Sequence, residues 1–434
     1  MILKRGINFI EKYAKLERNV VSFDLNQNIK QCDLLIAGGS AVGLTLAIAL
    51  KQAAPELKIN IVDATPKEGA PTQNIQAFAI TAASIRMLQQ LQCWEHLKPH
   101  TQPIHSMIIT DARTDDPIKP TFLTFEGDIA PNEPFATMVE KKELINVLKD
   151  RIKNLDIIFI ENVRVVDFYQ EDQHTTITLS NGEAWQTKLL IAADGARSKL
   201  REKAEIKTFS HSYKQTAIMC IIDHESPHHG QAIQHFLPAG PFALLPLKGD
   251  RSAIVWNEEH KTAQDLLKAD AFIFETEIEK RIGYRLGKFS WNGQRQAFPL
   301  VLSLTRNCIK PRFVLIGDAA HTTHPIAGQG LNLGLHDSAT LAEIIIETAR
   351  LGLDIGSISA LERYQSRRRF EIVRMTLSND FLNQLFSNDI LPLRMLRDIG
   401  LGIVNRMPKM KQYFIQEAAG ITPNAPRLLR GLPL

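Results

Sequence analysis

At 434 residues the chain is long enough for two or three domains, and its 44% hydrophobic and 23% charged content excludes a disordered or fibrous protein. The net charge of +4 is too small and too spread to point to nucleic acid, while remaining compatible with an anionic membrane face or an acidic partner. Cys32, Cys93, Cys220 and Cys308 are far apart and form no C-x-x-C pair, and no H-E-x-x-H occurs, so neither a disulfide framework nor a metal site is expected.

Residues 1 to 30 read as an extension. Ile7, Phe9, Ile10, Tyr13 and Leu16 fall on one face of a helix. Glu11 and Glu17 favour a helix docked on the body over a transit peptide, since such peptides are poor in acidic residues. The uncharged run Leu34 to Leu50 has the hydropathy of a membrane span, but Gly38, Gly39, Ser40 and Gly43 interrupt it. A strand, a turn and a helix to about Ala53 explain it better. A second strand, Lys58 to Val62, ends in Asp63.

That layout is the dinucleotide-binding βαβ unit. The first glycine makes the tight turn, Gly43 lets helix and strand pack, a diphosphate caps the helix at Ser40 and Ala41, and Asp63 takes ribose hydroxyls. Ser40 replaces the middle glycine and puts a side chain at the point of closest diphosphate approach.

A helical stretch is predicted from Ile75 to Leu91, then strands over 104–110 and 120–125, and a helix from Lys142 to Leu155. Asn181-Gly182 joins strands 175–179 and 185–191 into a hairpin. The hairpin runs into Asp194-Gly195 and then Ser198, which mark either a second ligand-facing turn or an ordinary helix cap. Alternating strands between Tyr213 and Trp256 predict an antiparallel sheet that roofs a cofactor. Residues 262–283 read as helical, and 287–305 as strands.

Residues 313 to 336, FVLIGDAAHTTHPIAGQGLNLGLH, describe a ligand cradle. An apolar strand ends at Gly317-Asp318, then His324, Pro325, Gly328 and Gly330 shape a loop before a helix from Leu331. The glycines allow close backbone approach, the fresh N–H groups of the helix start favour negative charge, and Asp318 can accept bonds from a hydroxyl chain. The tail is helical, and beyond Leu391 basic and apolar residues alternate, as on a solvated helix or on a patch that docks to a membrane or a partner.

Three fingerprints in this order, GGSAVG with Asp63, IAADGARSKLR and LIGDAAHTTHPIAGQGLNLGL, resemble the class A flavoprotein monooxygenases of the p-hydroxybenzoate hydroxylase fold. HPIAGQGLNLGL is similar to the signature of the ubiquinone-biosynthesis hydroxylases. GPFALLPL and EAAGITPNAPRLLRG look like their 2-polyprenyl-6-methoxyphenol hydroxylase branch.

The resemblance implies an α/β fold: a Rossmann-like FAD-binding domain (31–205 and 291–360, with strands near 104–135 lent to the substrate domain), an antiparallel substrate sheet (206–290) and a helical C-terminal region (361–434). It implies FAD held by Gly38, Ser40, Ala41, Gly43 and Asp63 on the adenosine side, and by Gln76, Asp194, Gly195, Gly317 and Asp318. Pro325, Gly328 and the backbone of Gly330, Leu331 and Asn332 would complete the set at the flavin edge. Gln76 stands where relatives carry Arg, and His336 replaces the Arg after NLGL.

The activity implied is hydroxylation of a polyprenylated phenol by O2 through a flavin hydroperoxide, with NAD(P)H as reductant and other ubiquinone-biosynthesis proteins as partners. His324 is the candidate base, and His235, Phe236 and Pro241 are candidate substrate contacts. A greasy tail implies peripheral contact with the inner membrane from the cytoplasm, or from a mitochondrial matrix. Another FAD oxidoreductase of the same fold, or a non-catalytic flavin-fold subunit of a complex, are the rival readings; the W-x-W-x-I-P segment of a halogenase is absent.

Overall fold

The computed structural model describes residues 29–66, 75–111, 121–126, 128–323, 329–386, 408–422 and 424–434. The N-terminal helix expected within residues 1–28, the loop residues 324–328 and the basic segment 391–407 lie outside the described residues.

Among the described residues the strands form three sheets. In the first, Phe313–Leu315, Ala184–Ala192, Lys30–Ala37, Ile59–Asp63 and Ile157–Glu161 run parallel in that order. Such strands are buried on both faces, which is why they read as unbroken apolar runs. Leu34 and Ile36 face the helices Ala41–Ala53 and Gln329–Arg350, while Leu35 and Ala37 face a second cluster with Ile177, Trp185 and Phe313. The helix Ala41–Ala53 begins inside the run that hydropathy alone flags as a span. No helix of the described residues is long and apolar enough to cross a membrane.

The second sheet is antiparallel over most of its nine strands, with Thr208–His224, Arg251–Glu259, Gly240–Leu247 and Gln231–Leu237 at its centre. Two helices, His260–Lys268 and Ala271–Ile282, cover one face through Phe242, Trp256, Phe274 and Ile278. They are two because the chain turns extended at Ala269 and Asp270 caps the second, accepting from Ile273 N–H at 2.9 Å. The opposite face packs through Ile221, Ala232, Leu247 and Ala253 on Ile104 and Met138 of the third, three-stranded sheet. Gln296–Thr305 lies in this roof sheet, paired to Thr208–His224, rather than with the second nucleotide-binding part.

One predicted helix is corrected. Ala77–Thr81 is a strand, paired with Ala136–Glu140, and only Ala82–Gln90 is helical. The ladder across the chain overrides the local helical spacing of Ile80 and Ile85. Thr81 ends the strand and caps the helix, its hydroxyl accepting from Ser84 N–H.

Candidate functional site

Four adjacent parallel strands end at the same edge, and each carries one of the predicted ligand-facing stretches. Ala37 leads to Gly38, Asp63 closes Ile59–Asp63, Ala192 leads to Asp194-Gly195, and Leu315 leads to Gly317-Asp318. The carboxyl edge of an open parallel sheet is where such folds bind ligands. Sterics explain the glycines. A Cβ on Gly38 (φ +125°) would lie 2.2 Å from Ala193 O, one on Gly43 would lie 2.1 Å from Gly38 O, and one on Gly39 would lie 2.5 Å from Asp63 Oδ2. Ser40 costs nothing by comparison. Its φ of −79° and ψ of 174° suit any residue, and its hydroxyl makes no capping bond. Asp63 is fixed by Gly39 N–H on one oxygen and by Thr65 N–H, at 2.6 Å, on the other.

Asp194 and Ser198 both serve as caps: Asp194 accepts from Leu200 N–H at 3.3 Å, and Ser198 from Arg201 N–H at 2.9 Å. Gly195 sits at φ +84°, a conformation suited to glycine, so the turn caps a helix at the carboxyl edge of the sheet.

The cradle helix, Gln329–Arg350, is held from three sides. A Cβ on Gly334 would lie 2.6 Å from Val42 Cγ2, so Gly334 sets its approach to the helix Ala41–Ala53. Asn332 staples its first turn to the third sheet: Oδ1 accepts from Thr81 N–H and from Ser84 Oγ, each at 3.0 Å, and Nδ2 donates to Ala79 O at 2.8 Å. Behind it Asp337 is wholly buried, accepting from Gly317 N–H at 2.8 Å, His321 Nε2 at 2.6 Å and Arg368 Nε at 2.6 Å. Burial opposes its charge, but His321 and Arg368 outweigh that and pull its carboxyl to about 2. Arg368, also buried, donates further to Glu371, to Leu333 O and to His336 Nδ1. Burial keeps His336 below the ordinary imidazole range, and Arg368 acts in the same sense.

Asp318 is reached by solvent at the cleft, yet enough protein surrounds it to raise its carboxyl, against the pull of His321 and Lys141. Lys141, at the start of the helix Lys141–Lys153, acts on it through its charge without an ion pair and donates to Gln76 Oε1 at 2.8 Å.

The fit to a flavin dinucleotide rests on what the protein leaves open. A Cβ on Gly330 meets nothing within 4 Å, so internal packing does not demand that glycine. Among the described residues, Thr323 Oγ1 and Gln329 Oε1, on either side of residues 324–328, are buried without a hydrogen-bond partner, as polar atoms that a ligand could satisfy would be.

His324, Pro325 and Gly328 lie outside the described residues. Phe236 and Pro241 are cross-strand partners, and alternation along Gln231–Leu237 puts them with Ala232 on the face turned to the third sheet. His235 alternates with them along the strand. It lies on the opposite, helix-covered face, stacked on Phe242 with centroids 6.1 Å apart and bonded through Nδ1 to Thr110 Oγ1 at 2.6 Å. Sequence reasoning missed Asp337, Arg368 and Lys141. A charged residue inside an apolar helix, as in NLGLHDSATL, was the signal available for the first.

A parallel sheet offering four ligand-facing loops at one edge, beneath an antiparallel roof, defines a dinucleotide-dependent flavoprotein. The chain belongs to the FAD binding domain family, whose model matches residues 31–377. It is 38% identical to the ubiquinone hydroxylase UbiL of Rhodospirillum rubrum over 93% of this chain and 94% of that one. It is 29% identical to the mitochondrial ubiquinone biosynthesis monooxygenase COQ6 of Danio rerio, over 89% of each. Among solved structures, p-nitrophenol 4-monooxygenase PnpA of Pseudomonas putida superposes with a TM-score of 0.74, covering 90% of this chain and 99% of that one at 17% identity. That last likeness establishes the fold.

Proposed function

We propose that the chain hydroxylates the aromatic ring of a polyprenylated phenol in ubiquinone biosynthesis, using FAD, O2 and NAD(P)H. The carrying observation is its 38% identity, over nearly the full length of both chains, to a protein named for that chemistry. The described part of the cradle and the strand-edge loops support it. When bound, FAD supplies the electron transfer and oxygen activation that ring hydroxylation requires.

The chain's own part is binding, orientation and exclusion of water. Gly38, Gly39 and Gly43 bring the backbone to the diphosphate, Asp63 takes the ribose, and Asp318 takes the ribityl hydroxyls. The N–H groups of Gly330, Leu331 and Asn332, in a helix start held by the Asn332 staple, would hold the flavin edge and favour negative charge there. Phe236 and Pro241 roof the ring and keep water out. His324 is the proposed base that ionises the phenol.

The isoprenoid tail must leave a bilayer, and the helix Ile358–Phe386 offers a contact for one. Phe370, Val373 and Leu377 share one helical face and are 74%, 42% and 64% exposed, with exposed Arg369 beside them. The protein then acts at the inner membrane, from the cytoplasm or a mitochondrial matrix, alongside other enzymes of the same synthesis.

Purified protein titrated with FAD should acquire a protein-bound flavin spectrum and consume NAD(P)H with O2. Product analysis after complementing strains blocked at each ubiquinone hydroxylation names the ring carbon. Complementing none, with flavin bound and no reductant consumed, would favour the non-catalytic subunit instead.

A further inference from the structure

We propose that Lys141 is the cation that binds the diphosphate of the dinucleotide in this chain. The inference rests on the FAD reading above. Positions 76 and 141 form one unit: Lys141 N–H donates to Gln76 O at 2.8 Å, and Lys141 Nζ donates to Gln76 Oε1, also at 2.8 Å. Gln76 is neutral, so the ammonium gains a hydrogen bond there and no counter-charge.

The neighbouring carboxylates are committed elsewhere. Glu140 pairs with Arg251 at 2.8 Å, and among the described residues Glu143 makes no ion pair with Lys141 within 4 Å. Asp318 acts on Lys141 only through the longer-range field. Among the described residues the half-buried ammonium therefore lacks an ion pair, a costly state for a cation.

The cleft edge supplies the other half of the argument. Asp63, Asp194 and Asp318 all stand there, so an unaided diphosphate would meet three carboxylates. Arg201, another cation near this edge, has both terminal nitrogens held on carbonyls, Ala319 O and Ala196 O, at 2.9 and 3.0 Å, whereas the Lys141 ammonium is held by a single bond. Oxidised FAD carries its anionic charge on the diphosphate alone. An ammonium has three donors, and Gln76 uses one.

The test is apoprotein titrated with FAD at two KCl concentrations, read by quenching of flavin fluorescence. Lys141→Gln should weaken FAD about ten- to a hundredfold, the worth of a charge-assisted hydrogen bond, and flatten the salt dependence. The swap Gln76→Arg with Lys141→Gln should restore most of both, because a side chain at 76 already reaches the Lys141 ammonium. A folded Lys141→Gln protein with wild-type affinity, or one weakened with its salt dependence intact, overturns the proposal. Should Lys141→Gln not fold, Lys141→Arg decides: retained affinity and salt dependence support it, and loss of affinity overturns it. Wild-type protein that binds no FAD would instead overturn the flavin reading beneath it.

Discussion

Asn332 is the residue on which the cradle's position can be tested most directly. Truncating Asn332→Ala removes the acceptor of Thr81 N–H and the donor to Ala79 O, both part of the third sheet. Ser84 Oγ loses the same acceptor but keeps a neighbour in Thr81 Oγ1 at 3.1 Å, so it can re-pair. Each buried polar group left without a partner costs about 1–3 kcal/mol, so two of them cost about 2–6 kcal/mol. The first turn of the cradle helix is then free to shift relative to Ala77–Thr81, and every 1.4 kcal/mol that reaches the ligand is about tenfold in affinity. The thermal midpoint of the apoprotein should fall by several degrees, and the dissociation constant for FAD should rise at least about tenfold. Calorimetry and flavin fluorescence quenching read the two separately. Unchanged values for both would refute the claim that this side chain sets the helix start.

Gly43→Ala should abolish FAD binding or folding, since its Cβ would lie 2.1 Å from Gly38 O, whereas Ser40→Gly should change apoprotein stability by only a few tenths of a kcal/mol by denaturant titration. Arg368→Leu removes one of the two cations beside the buried Asp337, leaving His321, and should cost up to about 3–5 kcal/mol. The pH dependence follows from the depressed Asp337 carboxyl: its stabilisation is complete above the unfolded value near 4 and is lost as pH falls toward about 2. That acid limb should weaken or disappear in Arg368→Leu, which denaturation curves across the acid range will show. Replacing Phe370, Val373 and Leu377 together by Ser should reduce sedimentation with anionic vesicles while leaving the thermal midpoint unchanged, because all three are exposed.

The nucleotide half of the fold was legible because its signals are local. Glycines at 38 and 43, a carboxylate closing the second strand and Asn181-Gly182 in a hairpin each dictate backbone geometry within a few residues. Ala77–Thr81 was misread because its structure comes from pairing with Ala136–Glu140, some sixty residues away, and its own spacing suits a helix. The face that His235 takes was hidden for a related reason. Period two gives two faces for Gln231–Leu237, but only the helices Ala271–Ile282 and His260–Lys268 decide which of them is covered.

The site divides along the same line. The sequence marks the residues that must lack a side chain near a ligand, since glycine is a local statement about space. It is silent about what holds those residues still. Asn332 reaches Thr81 across 251 positions, Arg368 reaches Asp337 across 31, and Lys141 reaches Gln76 across 65. None of these pairs leaves a trace in spacing, because each is made by two helices or strands that meet only after folding. Two of the departures from the family pattern, at positions 40 and 76, have surroundings of the same kind. Ser40 stands in ordinary extended backbone, and the neutral Gln76 is bonded to a cation, so neither change by itself removes the means of holding a dinucleotide.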